Sequence, residues 1–504
     1  MKRLRPVPSL LAVVVPTFTV ILILLSLSRL TDLSRPEAVS AEPRATIPPP
    51  TATTTPTTST LYLPTVLNNA WVGQRPAVPW GLQYDPYQEH TPALYAQVIS
   101  PELGLAHGAG FRVVRTHLFW TDVEPTDTVP SAYDWSAYDV LFGDYATRDF
   151  TTLVSIVGYP MWATTYNCGG GLHENWQPAW REFVREAVAR YSKSPYNVHL
   201  WEIGNEVDGE TTVDPDDYDR PPDLGQGQPT VPYAGCWGDM AADYLSFMRA
   251  AYEEIHGQDS SAQVLIGSLA YDQFENWFVE DFFPNVLDAG GGAYFDVLGF
   301  HWYPFSTQAW PTANGKAQDI AAIMQSRGIQ KPLWLTETYR WTHSVDPNSP
   351  RAQFDFVLHE LPRMAGGGII QRAIWFGMWD FNPGRSPIGR GMVDFWHQPK
   401  PALRAMEAMS GLAYGFPTDV GNNQVEAYRF DRPWALESVY ALWSRDSSSH
   451  DFSVAAAKPV QRVRVFFANT YTDTQVVTDT LVPSGGQVTA HAEQGTQFLI
   501  VPAQ

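Results

Sequence analysis

Two hydrophobic stretches of this sequence end in a glutamate, and residues of these types at strand ends are suited to acid–base chemistry. Residues 201–206 read WEIGNE and end at Glu206, and residues 333–337 read LWLTE and end at Glu337. An acid at the end of a barrel strand lies at the rim of the sheet, where it can meet a substrate. Two such acids can cleave a glycosidic bond, because one protonates the leaving oxygen while the other attacks or stabilises the sugar cation.

Strand patterns alternate with helix patterns from about residue 76 onward. The clearest helix has a stripe at i, i+3, i+4 and i+7 spacing behind Pro178, including Trp180, Phe183, Val184 and Ala187. Eight strand–helix units predict a (β/α)8 barrel over residues 76–417. A doubly wound open sheet is the alternative, but no Gly-rich phosphate turn follows any strand. The eight predicted strands are residues 80–84, 111–118, 151–157, 198–203, 263–268, 295–300, 333–336 and 373–377.

The hydrophobic period changes to two after about residue 418. Val463, Val465 and Phe467 alternate with residues of the opposite face, and residues 483–486 (PSGG) form a turn signal. This pattern predicts a small antiparallel β-sandwich over residues 418–504, packed on the barrel as an accessory domain. It carries no residues suited to catalysis.

The N-terminal segment, residues 1–30, has the pattern of a signal peptide or a membrane anchor. Lys2, Arg3 and Arg5 precede an apolar run over residues 10–27. The run is at the lower edge of membrane-spanning length, and the first good small-residue cleavage site, residues 39–41, lies well beyond it. We therefore favour an anchor over a cleaved peptide. In either case the rest of the chain is expected outside the cell, membrane-anchored or secreted.

Residues 31–75 follow this segment as a Pro/Thr-rich linker, which is too poor in hydrophobic residues to bury a core. The linker would hold the barrel away from a membrane through the segment at residues 10–27.

Composition excludes several classes of function. The formal net charge of -20 leaves no basic surface for nucleic acid. The two cysteines, Cys168 and Cys236, form no CxxC or Cys/His cluster, so no metal site is predicted. The acidic residues between positions 208 and 237 leave a calcium site as an alternative, but their spacing matches no known loop and favours a solvated acidic lid.

Five motifs occur in the order and on the strands typical of one group of enzymes. The motifs are Asn205-Glu206 after strand four, Glu337 at the end of strand seven, residues 115–117 (RTH) on strand two, Trp120 through Glu124-Pro125 after it, and residues 301–304 (HWYP) on strand six. With these motifs the barrel resembles the clan A glycoside hydrolases, and within them family 39 and its neighbours. The resemblance covers roughly residues 78–412, and Val207 stands where the usual motif has proline.

The resemblance implies a mechanism without metal or cofactor. Glu337 would be the nucleophile, and Glu206 the acid and then the base. Asn205 would hold the sugar 2-hydroxyl. The clan implies retention at a β-type linkage of an oligosaccharide or polysaccharide.

Other polar residues of the predicted barrel are expected to contact the two acids or to lie beside them. Arg115 points inward on a strand, so we expect Glu202 to be its buried partner and Arg115 to keep Glu337 ionised. We also expect Tyr303 to hydrogen-bond Glu337. His117 and His301 are read either as substrate contacts or as core histidines.

Aromatic residues near the strand ends offer a platform for the cleaved sugar. Trp379, at the end of strand eight, is our choice, and Trp375 is better read as core because it lies mid-strand. Trp120 and Trp162 either shape the cleft or pack in the core.

Two further functions remain open from the sequence alone. One is a surface-tethered carbohydrate-binding protein with an inactive barrel, against which the intact pair Glu206 and Glu337 argues. The other is a transglycosylase, which differs from a hydrolase only in how well it excludes water.

A last expectation concerns Cys168 and Cys236, which lie in neighbouring top-face loops and are predicted to form a disulfide that staples the lid.

Overall fold

A computed structural model describes most of the chain beyond residue 79. The described residues are 80–85, 95–165, 168–174, 176–209, 237–271, 278–304, 310–343, 346, 348–380, 388–413, 415–467 and 474–503. The predicted anchor, the linker and most of the acidic loop lie outside them, as does Cys236. No helix among the described residues is long and apolar enough to cross a membrane.

Eight parallel strands close into a barrel in sequence order, and each pairs with its neighbours in the chain. The predicted (β/α)8 fold is therefore confirmed. One register shift interrupts the pairing between the sixth and seventh strands and places His301 opposite Glu337. The barrel strands are Trp80–Gln83, Val113–Phe119, Thr151–Val157, Leu200–Asn205, Gln263–Leu269, Val297–His301, Leu333–Thr338 and Ile370–Phe376.

Helices surround the barrel, and the predicted stripe behind Pro178 is buried against it. Two short strands, Thr342–His343 and Ile388–Gly389, pair with each other beyond the seventh and eighth barrel strands. The helices are Tyr95–Ile99, Ser100–Gly108, Trp120–Val123, Ser136–Thr147, Trp176–Tyr191, Ala241–Gln258, Phe282–Asp288, Ala313–Gln325, Ser349–Gly366 and Pro401–Leu412, with 3-10 turns at Gly291–Ala293 and Pro433–Ala435.

The barrel interior changes from apolar to polar along the strands. Near the strand starts it is filled by a separate apolar cluster of Leu153, Leu200, Leu265, Val297, Trp334 and Ile374. Further along, the buried residues include Arg115 and Glu202. Charges buried in this way must be paired. The polar layer lies toward the C-terminal ends of the strands, where (β/α)8 barrels place their active sites.

The C-terminal part consists of antiparallel strands, as predicted. One face of its larger sheet belongs to the same hydrophobic core as the barrel, through residues such as Tyr428, Trp443 and Phe498. The other face packs in a second core with Phe452 and Leu499. The larger sheet has the order Thr418–Asp419, Val425–Arg432, Glu437–Ser444, Gln497–Pro502, Val460–Phe467 and Thr474–Leu481, and the smaller one pairs His450–Ala455 with Gln487–Ala492.

Candidate active site

The two predicted acids meet at the C-terminal end of the barrel. Glu206 immediately follows the fourth strand, and Glu337 lies near the end of the seventh. One carboxylate oxygen of each, together with a nitrogen of His301, lie within 4.8 Å of one another. The two carboxylates therefore face one small volume, as a substrate bond held between them would require.

The backbone at Glu206 has an uncommon conformation. Its φ is 46°, in the left-handed region that residues with a side chain rarely adopt. Gly204, with φ 90°, precedes it and has no room for a Cβ beside Val207. The chain thus turns sharply as it leaves the strand, and such strain is often found at functional sites.

Arg115 is the charged centre of the site and is fully buried. Its guanidinium donates to Glu202 and to Glu337, each at 2.7 Å. It also donates to the side-chain oxygens of Gln83 and Asn205. Both acidic contacts expected from the sequence are present, so one cation compensates two buried acids.

Glu202 is a fully buried partner of Arg115 and does not face the cleft. Its second oxygen accepts hydrogen bonds from the backbone and hydroxyl of Ser268. Although burial opposes ionisation, Arg115 lowers the pKa of Glu202 below its usual value. Glu202 therefore stays ionised and fixes the guanidinium in place.

Glu337 is held by three side chains. Arg115 binds one carboxylate oxygen, and Tyr303 donates its hydroxyl hydrogen bond to the other. Burial, followed by the charge of Glu337, raises the pKa of Tyr303 well above its usual value, so the phenol keeps its proton. His301 Nδ1 lies 3.5 Å from the same oxygen. These contacts fix the orientation of the carboxylate.

Glu206 has a different environment. Burial raises its pKa to about 7, against the opposing charges of Arg115, Lys316 and His117. His301 Nδ1 lies 2.9 Å from its Oε1. Burial also lowers the pKa of His301 to about 4, so the imidazole is neutral near pH 7. A carboxyl group whose pKa is raised toward 7 can donate a proton at neutral pH, as general acid catalysis needs.

The two histidines occupy different places. His301 is buried, and its Nδ1 lies close to both carboxylates, so its contacts are with the two acids. His117 Nδ1 pairs at 3.0 Å with Asp85, just beyond the first strand. Although burial opposes it, this pairing lowers the pKa of Asp85 to about 2.

The predicted tryptophans separate into rim and core. Trp379 is half-buried just beyond the eighth strand and forms a bridge with Val393. Trp375 is buried in the core, as expected. Trp120 is also fully buried, stacked on Phe183 and tilted against Trp180, so it supports the barrel wall. Trp162 is only partly buried and packs edge-on against Trp120.

Several residues of the site were missed by the sequence reading. Gln83 ends the first strand and Asp85 lies two residues beyond it, where polar residues after a hydrophobic run are a usable signal. Lys316 is fully buried on a helix and donates to the carbonyl of Ala270 at 2.6 Å. Tyr339 packs on Tyr303 with ring centres 4.6 Å apart. Nothing in their local sequence distinguishes Lys316 or Tyr339 from ordinary surface or core residues.

Cys168 is disulfide-bonded. Its predicted partner, Cys236, lies outside the described residues, so the pairing and the lid that it would staple stay predictions. The calcium alternative for the acidic loop falls on the same undescribed part of the chain.

Comparison with known proteins matches part of the chain to one family model. Residues 250–394, which include Glu337, match the family model of the glycosyl hydrolase catalytic core. No curated protein matches the sequence.

Solved structures extend the likeness over most of the chain. A family 39 glycoside hydrolase from Bacteroides cellulosilyticus WH2 is similar with a TM-score of 0.61 and 16% identity, over 85% of this chain and 81% of that one. A glucosidase from Croceicoccus marinus has a TM-score of 0.59 at 13% identity, over 86% and 97%. A family 30 endoxylanase from Clostridium papyrosolvens C71 has a TM-score of 0.55 at 14% identity, over 85% and 97%. These likenesses confirm the resemblance to clan A glycoside hydrolases at the level of the fold.

Proposed function

We propose that this protein, which has the fold of the clan A glycoside hydrolases, cleaves β-type glycosidic bonds of oligosaccharides or polysaccharides with retention. The observation that carries the proposal is the distance between the two acids, whose facing oxygens lie within 4.8 Å. Retaining enzymes hold their carboxyl groups about 5–5.5 Å apart, whereas inverting enzymes leave roughly 6.5–9.5 Å for a water molecule. Facing oxygens this close support the retaining arrangement over the inverting one.

The first step would be attack by Glu337 on the anomeric carbon. Arg115 and Tyr303 hydrogen-bond this carboxylate and orient it for attack. Glu206, protonated because burial raises its pKa to about 7, gives its proton to the leaving oxygen as the glycosidic bond breaks. The product of this step is a glycosyl ester of Glu337 and a free alcohol.

The second step would return the enzyme to its starting state. Glu206, now ionised, takes a proton from water, and the water oxygen attacks the anomeric carbon. The ester bond breaks and Glu337 leaves as a carboxylate. Two inversions at one carbon give net retention. Asn205 lies beside Arg115 at the same rim, where it would bind the sugar 2-hydroxyl, and Trp379 would lie beneath the ring.

A panel of aryl glycosides tests the proposal. The wild-type chain is incubated with p-nitrophenyl β-glycosides of glucose, xylose, galactose and mannose, each as mono-, di- and trisaccharide. We expect release of nitrophenol from at least one series. Failure on every member, with a folded protein, would remove the hydrolase proposal in favour of an inactive carbohydrate-binding barrel.

The pH dependence of turnover follows from Glu206. Because its pKa is raised to about 7, the acid form is lost as pH rises through that value. We expect kcat/KM on a substrate with a poor leaving group to fall about ten-fold for each pH unit above that pKa, which gives a basic limb in the pH profile. A substrate whose aglycone leaves without protonation, such as a dinitrophenyl glycoside, should show a much weaker limb. An identical limb with both substrates would contradict the assignment of Glu206 as the acid.

We propose that the protein acts outside the cell. The basic residues Lys2, Arg3 and Arg5, the apolar run at residues 10–27 and the linker up to residue 75 support this location. Fractionation of the native cells tests it, since an anchored enzyme should sediment with membranes and be released as an active barrel by protease.

A further inference from the structure

One large aromatic side chain stands exposed on the loop that follows the eighth strand. Trp396 is 72% exposed and is the only tryptophan among the exposed large hydrophobic residues of the described chain. A single exposed apolar residue needs no explanation by itself. Trp396 differs because the turn that carries it is fixed from several sides.

Hydrogen bonds fix the shape of this turn. The carboxylate of Asp394 accepts the backbone N–H of Trp396 at 2.8 Å and that of Gln398 at 2.9 Å. The ring of Phe395 packs edge-on against Trp396, with centroids 5.0 Å apart. The backbone that carries the indole is therefore fixed and one edge contact supports the ring, which lowers the entropy cost of binding.

The turn is also fastened to the first strand. His397 Nδ1 lies 2.6 Å from the buried carboxylate of Glu102. The other oxygen of Glu102 accepts the hydroxyl of Tyr84 at 2.7 Å. Tyr84 directly follows Gln83, whose side chain accepts a hydrogen bond from Arg115. The position of Trp396 is thus connected through these contacts to the catalytic centre.

Trp396 lies at the same rim as the site. Val393 bonds to the backbone on both sides of Trp379, accepting from Asp380 and donating to Met378. Trp396 is three residues further along, so its Cα is at most about 10 Å from that of Val393. Glu102 is in the first turn of its helix, and in a (β/α)8 barrel helices begin at the end where the strands finish.

The barrel order places Trp396 on one side of the bond to be cleaved. Glu206 follows the fourth strand, and in a closed ring of eight the fourth and eighth strands are opposite each other. The acid must lie beside the leaving group, since it protonates the leaving oxygen. The loop after the eighth strand therefore faces the other side, toward the sugars that precede the cleaved bond.

From this placement we propose that Trp396 is a binding platform for a sugar beyond the one attacked by Glu337, on the side away from the leaving group. The apolar C–H face of a β-linked pyranose would cover the indole. The enzyme would accordingly prefer glycans with two or more sugars before the cleaved bond, as an enzyme acting within a chain does. This inference rests on the proposed function.

Aryl oligosaccharides of increasing length test the platform. In p-nitrophenyl mono-, di- and trisaccharides the added sugars all lie before the cleaved bond. We expect the wild-type kcat/KM to rise with length, and Trp396→Ala to remove about ten-fold of that gain on the longer substrates. The monosaccharide should be cleaved equally by both proteins. Trp396→Phe, which keeps an aromatic ring, should restore most of the gain.

Phe416→Ala is the matched control, because Phe416 is also an exposed aromatic residue, 52% exposed, just beyond the last barrel helix. It should leave every substrate unchanged. Equal effects of Trp396→Ala on all lengths, or a wild-type rate that does not depend on length, would overturn the platform while leaving the hydrolase intact. A wild-type chain inactive on the whole panel would overturn the proposed function, and the platform with it.

Discussion

Replacement of Glu337 by alanine is expected to lower turnover by at least roughly 10⁴-fold, because the variant cannot form the covalent glycosyl ester. Azide should restore activity, since a small anion fits the space left by the carboxylate beside Arg115 and Tyr303. It would attack the same face of the sugar and give the α-glycosyl azide from a β-glycoside. Mass spectrometry and NMR of the product measure this rescue.

Glu206→Ala should behave differently with each leaving group. We expect a loss of about 10²–10⁴-fold on natural glycosides, whose leaving oxygen must be protonated, and a small loss of the first step on dinitrophenyl glycosides. Glu254→Gln, on the outer surface of the helix Ala241–Gln258, is the control that should leave both substrates unaffected. If azide rescued neither glutamate variant and both lost all substrates equally, the two roles would be wrongly assigned.

The second large effect is expected on stability. Arg115→Met removes the cation shared by Glu202 and Glu337, both buried. Losing one partner of a buried charge pair costs about 3–5 kcal/mol of the free energy of unfolding, because the remaining charge is left uncompensated. Chemical denaturation measures this cost, and turnover should be lost at the same time because Glu337 is no longer oriented.

A double variant separates charge from packing. Arg115→Met combined with Glu202→Gln removes one of the stranded acids, so it should be more stable than Arg115→Met alone. Arg327→Met is the surface control, and breaking its pair with Asp288 should leave the denaturation midpoint unchanged. A single Arg115 variant as stable as the wild type would show that the buried acids are compensated in some other way.

The sequence was sufficient for the barrel because each strand is a short apolar run bounded by polar residues. The strand Thr151–Val157 was predicted to the residue. The fourth strand instead begins at Leu200 and continues to Asn205, two residues beyond the predicted end. Local pattern fixes the existence of a strand better than its ends, which depend on pairing with neighbours.

The site could be predicted where a residue's type and strand position sufficed. Arg115 lies inward on an apolar strand, and this alone demanded buried acidic partners. Lys316 gave no such signal, because its helix position is ordinary and only the fold brings its ammonium to the carbonyl of Ala270. The sequence does not decide between a substrate contact and a core role for His301, because its contact with Glu206 joins residues 95 positions apart.

The stereochemical course of hydrolysis tests the central claim most directly. Time-resolved proton NMR of an aryl β-glycoside, recorded before the sugar mutarotates, identifies the anomer that the enzyme releases first. The close pair of Glu206 and Glu337 predicts that the β-anomer appears first and the α-anomer follows only by mutarotation. Release of the α-anomer first would show single-step inversion and would contradict the assignment of Glu337 as a nucleophile.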